Sequence, residues 1–199
     1  MRAGAILLSG GKSSRMGTNK ALLPFNEQTN IERISQELKS MFDEIILVTN
    51  DPDSYEFLNI RMVSDIYPGK GPLAGIHAGL IASDYEENIV VACDMPFVSA
   101  ELAANLVKNL KHYDALVPFI GGRRHPLMAA YQKRIIPEIE LSIKEDRLKM
   151  LFLFDKLNVR FVDEEELQSL TDVHFDKVFY NMNYPDEYEH AKKWIEKGE

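Results

Sequence analysis

The chain has 199 residues, 45% hydrophobic and 10% aromatic, with 23 basic against 31 acidic side chains for a net charge of −8. Those values suit one compact soluble domain spanning 1–199 and exclude a long disordered chain. The acidic balance argues against a general nucleic-acid binder, and a lone cysteine, Cys93, excludes an internal disulfide or a cysteine-rich metal site.

The apolar run at residues 3–8 is too short for a signal segment or a membrane span. No later stretch approaches the roughly 18 apolar residues a spanning helix needs, so a cytoplasmic protein is expected. Strand-like segments fall at 5–9, 44–49, 61–64, 88–93, 115–119 and 159–162, and helical patterns at 31–42, 73–83, 100–111, 135–145 and 186–197. In the first helical pattern Ile31, Ile34, Leu38 and Phe42 share a face, with Asn30 available as N-cap. Runs such as AILLS and NIVVAC lack polar alternation and read as central strands buried on both faces. The alternation predicts a three-layer α/β/α domain with a mostly parallel sheet, in which ligands bind beyond the carboxyl ends of the strands.

The residues at those ends are chemically suggestive. LSGGKSSRMGTNK (8–20) places Gly10 and Gly11 where backbone N–H groups can approach a ligand, with Arg15 and Lys20 adding charge. Neither a Walker A loop nor GxGxxG can be laid on it. CDMPF (93–97) puts Asp94 at the end of a buried strand, as a Mg²⁺ ligand or a helix cap; Asp65 has the same two readings. In GPLAGIHAGL (71–80), Gly71, Gly75 and Gly79 repeat every fourth residue, which favours close helix–sheet packing over ligand contact, and His77 reads as a packed or surface imidazole. Two stretches are basic without any acid: residues 1–26, with Arg2, Lys12, Arg15 and Lys20, and 115–137, with Arg123, Arg124, Lys133 and Arg134. They suit capture of small phosphorylated ligands, against chance clustering on a solvated surface. RRHPLMAAY (123–131) is a phosphate contact or an exposed loop. In NMNYPDEY (181–188), Asn181 and Asn183 are possible caps of the following helix, and Cys93 reads as a small buried hydrophobe.

In this order the motifs resemble the molybdenum cofactor guanylyltransferase family of MobA type, from Ala3 to about Tyr188. The opening loop is similar to that family's LxGGxxxRMGxxK signature, and SD at 64–65, GPLAGI, CDMPF, HPL at 125–127 and NMNYPDEY have counterparts there. The resemblance implies a Rossmann-like nucleotidyltransferase fold acting on GTP and molybdopterin. It implies that Leu8, Ser9 and Gly10 hold the guanine end of GTP, with Lys20, Asn50, Asp65 and Gly75 completing the nucleotide site. Gly11 and Arg15 would line the phosphate path, and Asp94 would meet both GTP and Mg²⁺. Asn181 and Asn183 would serve the catalytic centre or the pterin side. Ser9 departs from the family's usual alanine. The charge balance and the lack of a long apolar run point to no nucleic-acid or membrane partner, and the resemblance implies transient contact with molybdoenzymes or other proteins of cofactor biosynthesis. Two rivals remain: a cytidylyltransferase of the same pterin, which tends to carry LAAG in place of LSGG, and a non-catalytic carrier of nucleotide and pterin.

Overall fold

The structure, a computed structural model, describes residues 1–10 and 19–197. Its centre is a seven-strand path, ordered by position as Val159–Asp163 (β10), Ala115–Ile120 (β7), Met128–Gln132 (β9), Glu87–Ala92 (β6), Gly4–Leu8 (β1), Glu44–Val48 (β4) and Arg61–Val63 (β5). Arg123–Arg124 (β8) pairs with β7, and Pro24–Phe25 (β2) with Gln28–Thr29 (β3) form a separate small hairpin. Strands β6, β1, β4 and β5 run parallel, as do β7 and β10, whereas β9 is antiparallel to both of its neighbours.

Period-two alternation divides the side chains of the sheet between two cores. Leu7, Leu47, Ile89 and Val91 meet helices Asn30–Lys39 (α1) and Ala100–Leu110 (α3). Ile6, Leu8, Val48 and Val90 meet Pro72–Ala82 (α2) and Ile136–Lys144 (α4) on the opposite face. The three-layer α/β/α arrangement expected from the alternating pattern is therefore present. Because β1 is covered on both faces and flanked by strands on both sides, every residue of GAILL is buried. Met150–Phe154 (α5), Glu164–Gln168 (α6) and Phe175–Val178 (α7) follow, and Pro185–Lys197 (α8) closes the described chain. No described helix is long and apolar enough to cross a membrane.

Three local readings are corrected. Thr29, not Asn30, caps α1: its hydroxyl accepts from Glu32 N at 3.4 Å while the Glu32 carboxylate accepts from Thr29 N at 2.7 Å, a reciprocal capping box. The stretch 123–131 is not one exposed loop, since Arg123–Arg124 form β8 and its second half enters β9, whose five residues are all buried. The second basic stretch is also dispersed. Lys133 donates to Ser83 O, Arg134 to Asp114 at 2.7 Å, and the Arg124 guanidinium lies 4.7 Å from the Phe161 ring centre.

The glycine repeat of α2 separates by function. A Cβ on Gly79 would stand 2.3 Å from Ile6 Cγ2, and one on Gly75 3.1 Å from Leu8 Cδ2, so these two glycines let the helix lie directly on β1. Gly71 has no described residue within 4 Å of where its Cβ would stand but a φ of +68°, so it serves the backbone at the helix entry rather than packing. His77 is packed, with its ring 5.3 Å from that of Tyr67 and no hydrogen-bond partner among the described residues.

Candidate functional site

Strand order reverses at β1: the chain continues outward through β4 and β5, then returns to place β6 on the other side. Such a reversal leaves a crevice beyond the carboxyl ends of the central strands. Register brings Leu8 opposite both Val48 and Ala92, so the residues just past these strands converge. Leu8 O accepts from Cys93 N at 3.1 Å and Ser9 N donates to Val48 O at 3.0 Å, tying the first turn to both neighbouring strands.

On one flank lie Asn50 and Asp65. Asn50 Nδ2 donates to Asp65 Oδ2 at 2.8 Å, and Asp65 N donates back to Asn50 Oδ1 at 3.1 Å. Asp65 Oδ1 would sit 3.8 Å from a Cβ on Gly75, which itself lies over Leu8. This pair leaves Asp65 capping no helix and holds its carboxylate at the rim beside α2.

On the other flank lies Asp94. The helix after it, α3, is capped by Ser99, whose hydroxyl accepts from Leu102 N at 3.2 Å, so Asp94 is not a cap. Its backbone is fixed instead: Asp94 O accepts from Met182 N at 2.9 Å, and Asn30 Nδ2 donates to Cys93 O at 2.6 Å. Lys20 Nζ stands 3.6 Å from Asp94 Oδ2 and donates to Asn183 Oδ1 at 2.8 Å. Burial pushes the Asp94 carboxyl above the ordinary carboxylate range; Lys20 draws it back, and the charge of Glu187 adds to the rise. Burial likewise pushes the Cys93 thiol up to about 12, as befits an inert packed sulfur.

Asn183 does not cap α8 with its own side chain. Glu187 reaches back to accept from Asn183 N, and from Tyr184 N at 2.9 Å, which leaves the Asn183 amide oxygen free for Lys20. Among the described residues Asn181 makes one side-chain hydrogen bond, a local one from Nδ2 to Phe179 O at 3.4 Å, and none to Lys20, Asp94 or Asn183.

Between the flanks, a Cβ on Gly10 would meet no described residue within 4 Å. Ser9 is 8% exposed, and its hydroxyl hydrogen-bonds the Tyr55 hydroxyl, which also accepts from Asn19 Nδ2 at 2.7 Å. Its side chain therefore serves the scaffold and leaves the main chain to face the crevice. Gly11 and Arg15 lie outside the described residues. Asn30, Tyr55 and Asn19 were missed in the sequence; Tyr55 sits in the 3₁₀ segment Pro52–Leu58, which has no helical or strand period to draw attention to it.

A half-buried carboxylate whose ammonium neighbour stands 3.6 Å away suits a small hard cation. Among the described residues no three His, Cys, Asp or Glu side chains converge as a ligand set. A Mg²⁺ ion here would therefore take one carboxylate and fill its other positions from phosphate oxygens and water, its usual preference.

A strand reversal with glycine, ammonium and carboxylate at the strand ends is the layout of an α/β nucleotide enzyme. The chain belongs to the MobA-like NTP transferase family, whose domain model matches residues 5–161. It is 36% identical over 196 residues to a protein of Pelotomaculum thermopropionicum described as a probable molybdenum cofactor guanylyltransferase, covering 98% of this chain and 95% of that one. A protein of Clostridium perfringens with the same description is 39% identical over 195 residues, covering 95% and 96%. Among solved structures, the molybdopterin-guanine dinucleotide biosynthesis protein A of Archaeoglobus fulgidus superposes with a TM-score of 0.85 at 28% identity, covering 98% of this chain and 99% of that one.

Proposed function

We propose that this protein transfers the guanylyl group of GTP to the terminal phosphate of molybdopterin and releases pyrophosphate. The observation that carries the reading is the Lys20–Asn183–Asp94 group, set just past the end of β6. The descriptions of the relatives support the choice of both substrates, and LSGG rather than LAAG at 8–11 supports guanine.

An oxygen of the acceptor phosphate forms a bond to the α-phosphorus of GTP. The bond from that phosphorus to the bridging oxygen breaks, and pyrophosphate departs with its electron pair. Transfers of this kind depend on positioning and charge compensation rather than on a covalent nucleophile. The first turn of the sheet, Leu8–Gly10, lets the nucleotide approach the backbone, and the Asn50–Asp65 pair with Gly75 bounds its far side. Gly11 and Arg15 extend the phosphate path by their place in the motif. Lys20 offsets phosphate charge, and Asn183 fixes where its ammonium points. Asp94 would hold Mg²⁺, which when bound neutralises triphosphate oxygens and the leaving group. Asn181 lies two residues from Asn183 and serves the acceptor side.

Incubation with molybdopterin and GTP labelled at the α-phosphorus tests the reading. Label should appear on the pterin and pyrophosphate should accumulate, with CTP and ATP competing weakly. Label that is retained as bound GTP and never moves to the pterin would show a carrier instead.

A further inference from the structure

The hydroxyl of Tyr55 ties together the two ends of the 8–20 motif. Tyr55 lies in Pro52–Leu58, shortly after β4, with its ring packed in the core and 1% exposed. Its phenolic oxygen hydrogen-bonds the Ser9 hydroxyl, 46 positions earlier, and accepts from Asn19 Nδ2 at 2.7 Å. The Asn19 amide can face only one way. Its Oδ1 accepts from Ala21 N at 3.1 Å, and a backbone N–H can only donate, so Nδ2 is the group turned to Tyr55. The same contact makes Asn19 the cap of the short turn Lys20–Leu22, whose middle residue, Ala21, is buried in the same core as Tyr55. Burial pushes the Tyr55 phenol above its ordinary value, against the Ser9 and Asn19 contacts, so the hydroxyl keeps its proton. Lys20 begins that turn, and its ammonium is the group that meets Asn183 at 2.8 Å and Asp94 at 3.6 Å.

We infer that Tyr55 is a positioning residue for Lys20. Its hydroxyl holds the Asn19 amide, the amide holds the turn, and the turn aims the ammonium between Asn183 and Asp94. The Ser9 contact anchors the same hydroxyl just past the end of β1, so the ammonium is set relative to the first turn of the sheet. A phenol that merely satisfied its own polarity in the core would affect stability alone. One that aims Lys20 also moves the groups that Lys20 touches. The consequence for GTP rests on the transfer reading above, whereas the placement of Lys20 does not.

Tyr55→Phe keeps the ring in the core and removes the hydroxyl. In the nucleotide-free full chain it should shift the Asn183 side-chain amide resonance. It should also speed exchange of the Ala21 amide at least about threefold, while the Ile46 amide, central in β4, follows global stability. GTP, titrated calorimetrically, should bind about three- to tenfold more weakly, the loss expected of one neutral hydrogen bond. Asn19→Ala, at an exposed residue, should move the Asn183 resonance in the same way. Tyr55→Phe placed on that variant should weaken GTP no further, because the bond is already gone. An unmoved Asn183 resonance overturns the assignment. So does a Tyr55→Phe variant that binds GTP as the parent does, or a double variant whose losses add. A parent that binds no GTP while Tyr55→Phe still moves Asn183 and Ala21 refutes the transfer reading and supports the positioning of Lys20.

Discussion

In the proposed reaction Asp94 and Lys20 act as more than a structural ion pair. At 3.6 Å the ammonium is near enough to stabilise the carboxylate but not to satisfy it, and Asn183 takes the shorter contact at 2.8 Å. Asp94→Asn removes the charge and keeps the shape, so its transfer rate should fall by about 10²-fold or more with an unchanged melting temperature. A steady-state assay at saturating GTP checks this, and parent-like turnover would remove Asp94 from the reaction. Lys20→Ala deletes a charge-assisted contact worth about 1.5–3 kcal/mol, which corresponds to a GTP dissociation constant raised by about 10- to 100-fold. Calorimetric titration of the variant with GTP measures the rise. Asn183→Ala should give a smaller loss in the same direction, because the ammonium remains but loses the amide that aims it.

At the level of elements, α2 against β1 is the contact most sensitive to a single atom. Alanine at a helical glycine gains about 1 kcal/mol of propensity. At Gly79 the new Cβ would lie within 3.2 Å of three side-chain atoms of Ile6, a β-branched residue fixed in a central strand. Overpacking of that kind costs about 1–3 kcal/mol, so the clash exceeds the propensity gain. Gly79→Ala should therefore lower the urea midpoint, and combination with Ile6→Ala should give a double variant less destabilised than the sum of the two singles. At Gly75 the neighbour is the flexible end of Leu8 at 3.1 Å, so Gly75→Ala should change stability much less. Strand β9 is the second instructive element. Inserted antiparallel between β6 and β7, it joins two parallel portions of the sheet into one surface and carries the fully buried Tyr131, whose hydroxyl donates to Pro126 O at 2.8 Å.

For the whole molecule, the buried imidazole of His77 and the half-buried one of His125 bear on how stability responds to acid. Burial pushes His77 below its ordinary value, with Glu140 opposing that shift and Lys144 adding to it. Burial also pushes His125 down, against its hydrogen bond to Ile120 O. The unfolded chain binds these protons near pH 6.5 and the folded chain only at lower pH, so the unfolded state holds more protons as the solution becomes acid. Their contribution is complete above about pH 6.5 and is lost as pH falls through the depressed folded values. The urea midpoint should thus decline from about pH 7 to pH 5, and His77→Phe should decline less steeply. Equal slopes for the two proteins would show that His77 is not the group responsible.

Several features are already present in the chain of letters. Unalternating runs such as GAILL and ENIVVA specify strands covered on both faces, and the i, i+3, i+7 stripe of Ile31, Ile34 and Leu38 specifies the buried side of α1, because both are local periodicities. Glycine and base beside a strand end, and Asp94 after a buried strand, mark the crevice for a similar reason: buried sheets leave functional groups only at their ends. The cap at Thr29 was also local, but two adjacent polar residues compete for it, and only the Glu32 side chain decides between them. Tertiary structure alone determined the rest. MAAYQ carries no period that separates a strand from the start of the next helix, and its identity comes from the partners it hydrogen-bonds on either side. The meeting of Lys20 with Asn183, 163 positions apart, and of Asn50 with Asp65 depends on strand order and register, which no short window of sequence contains.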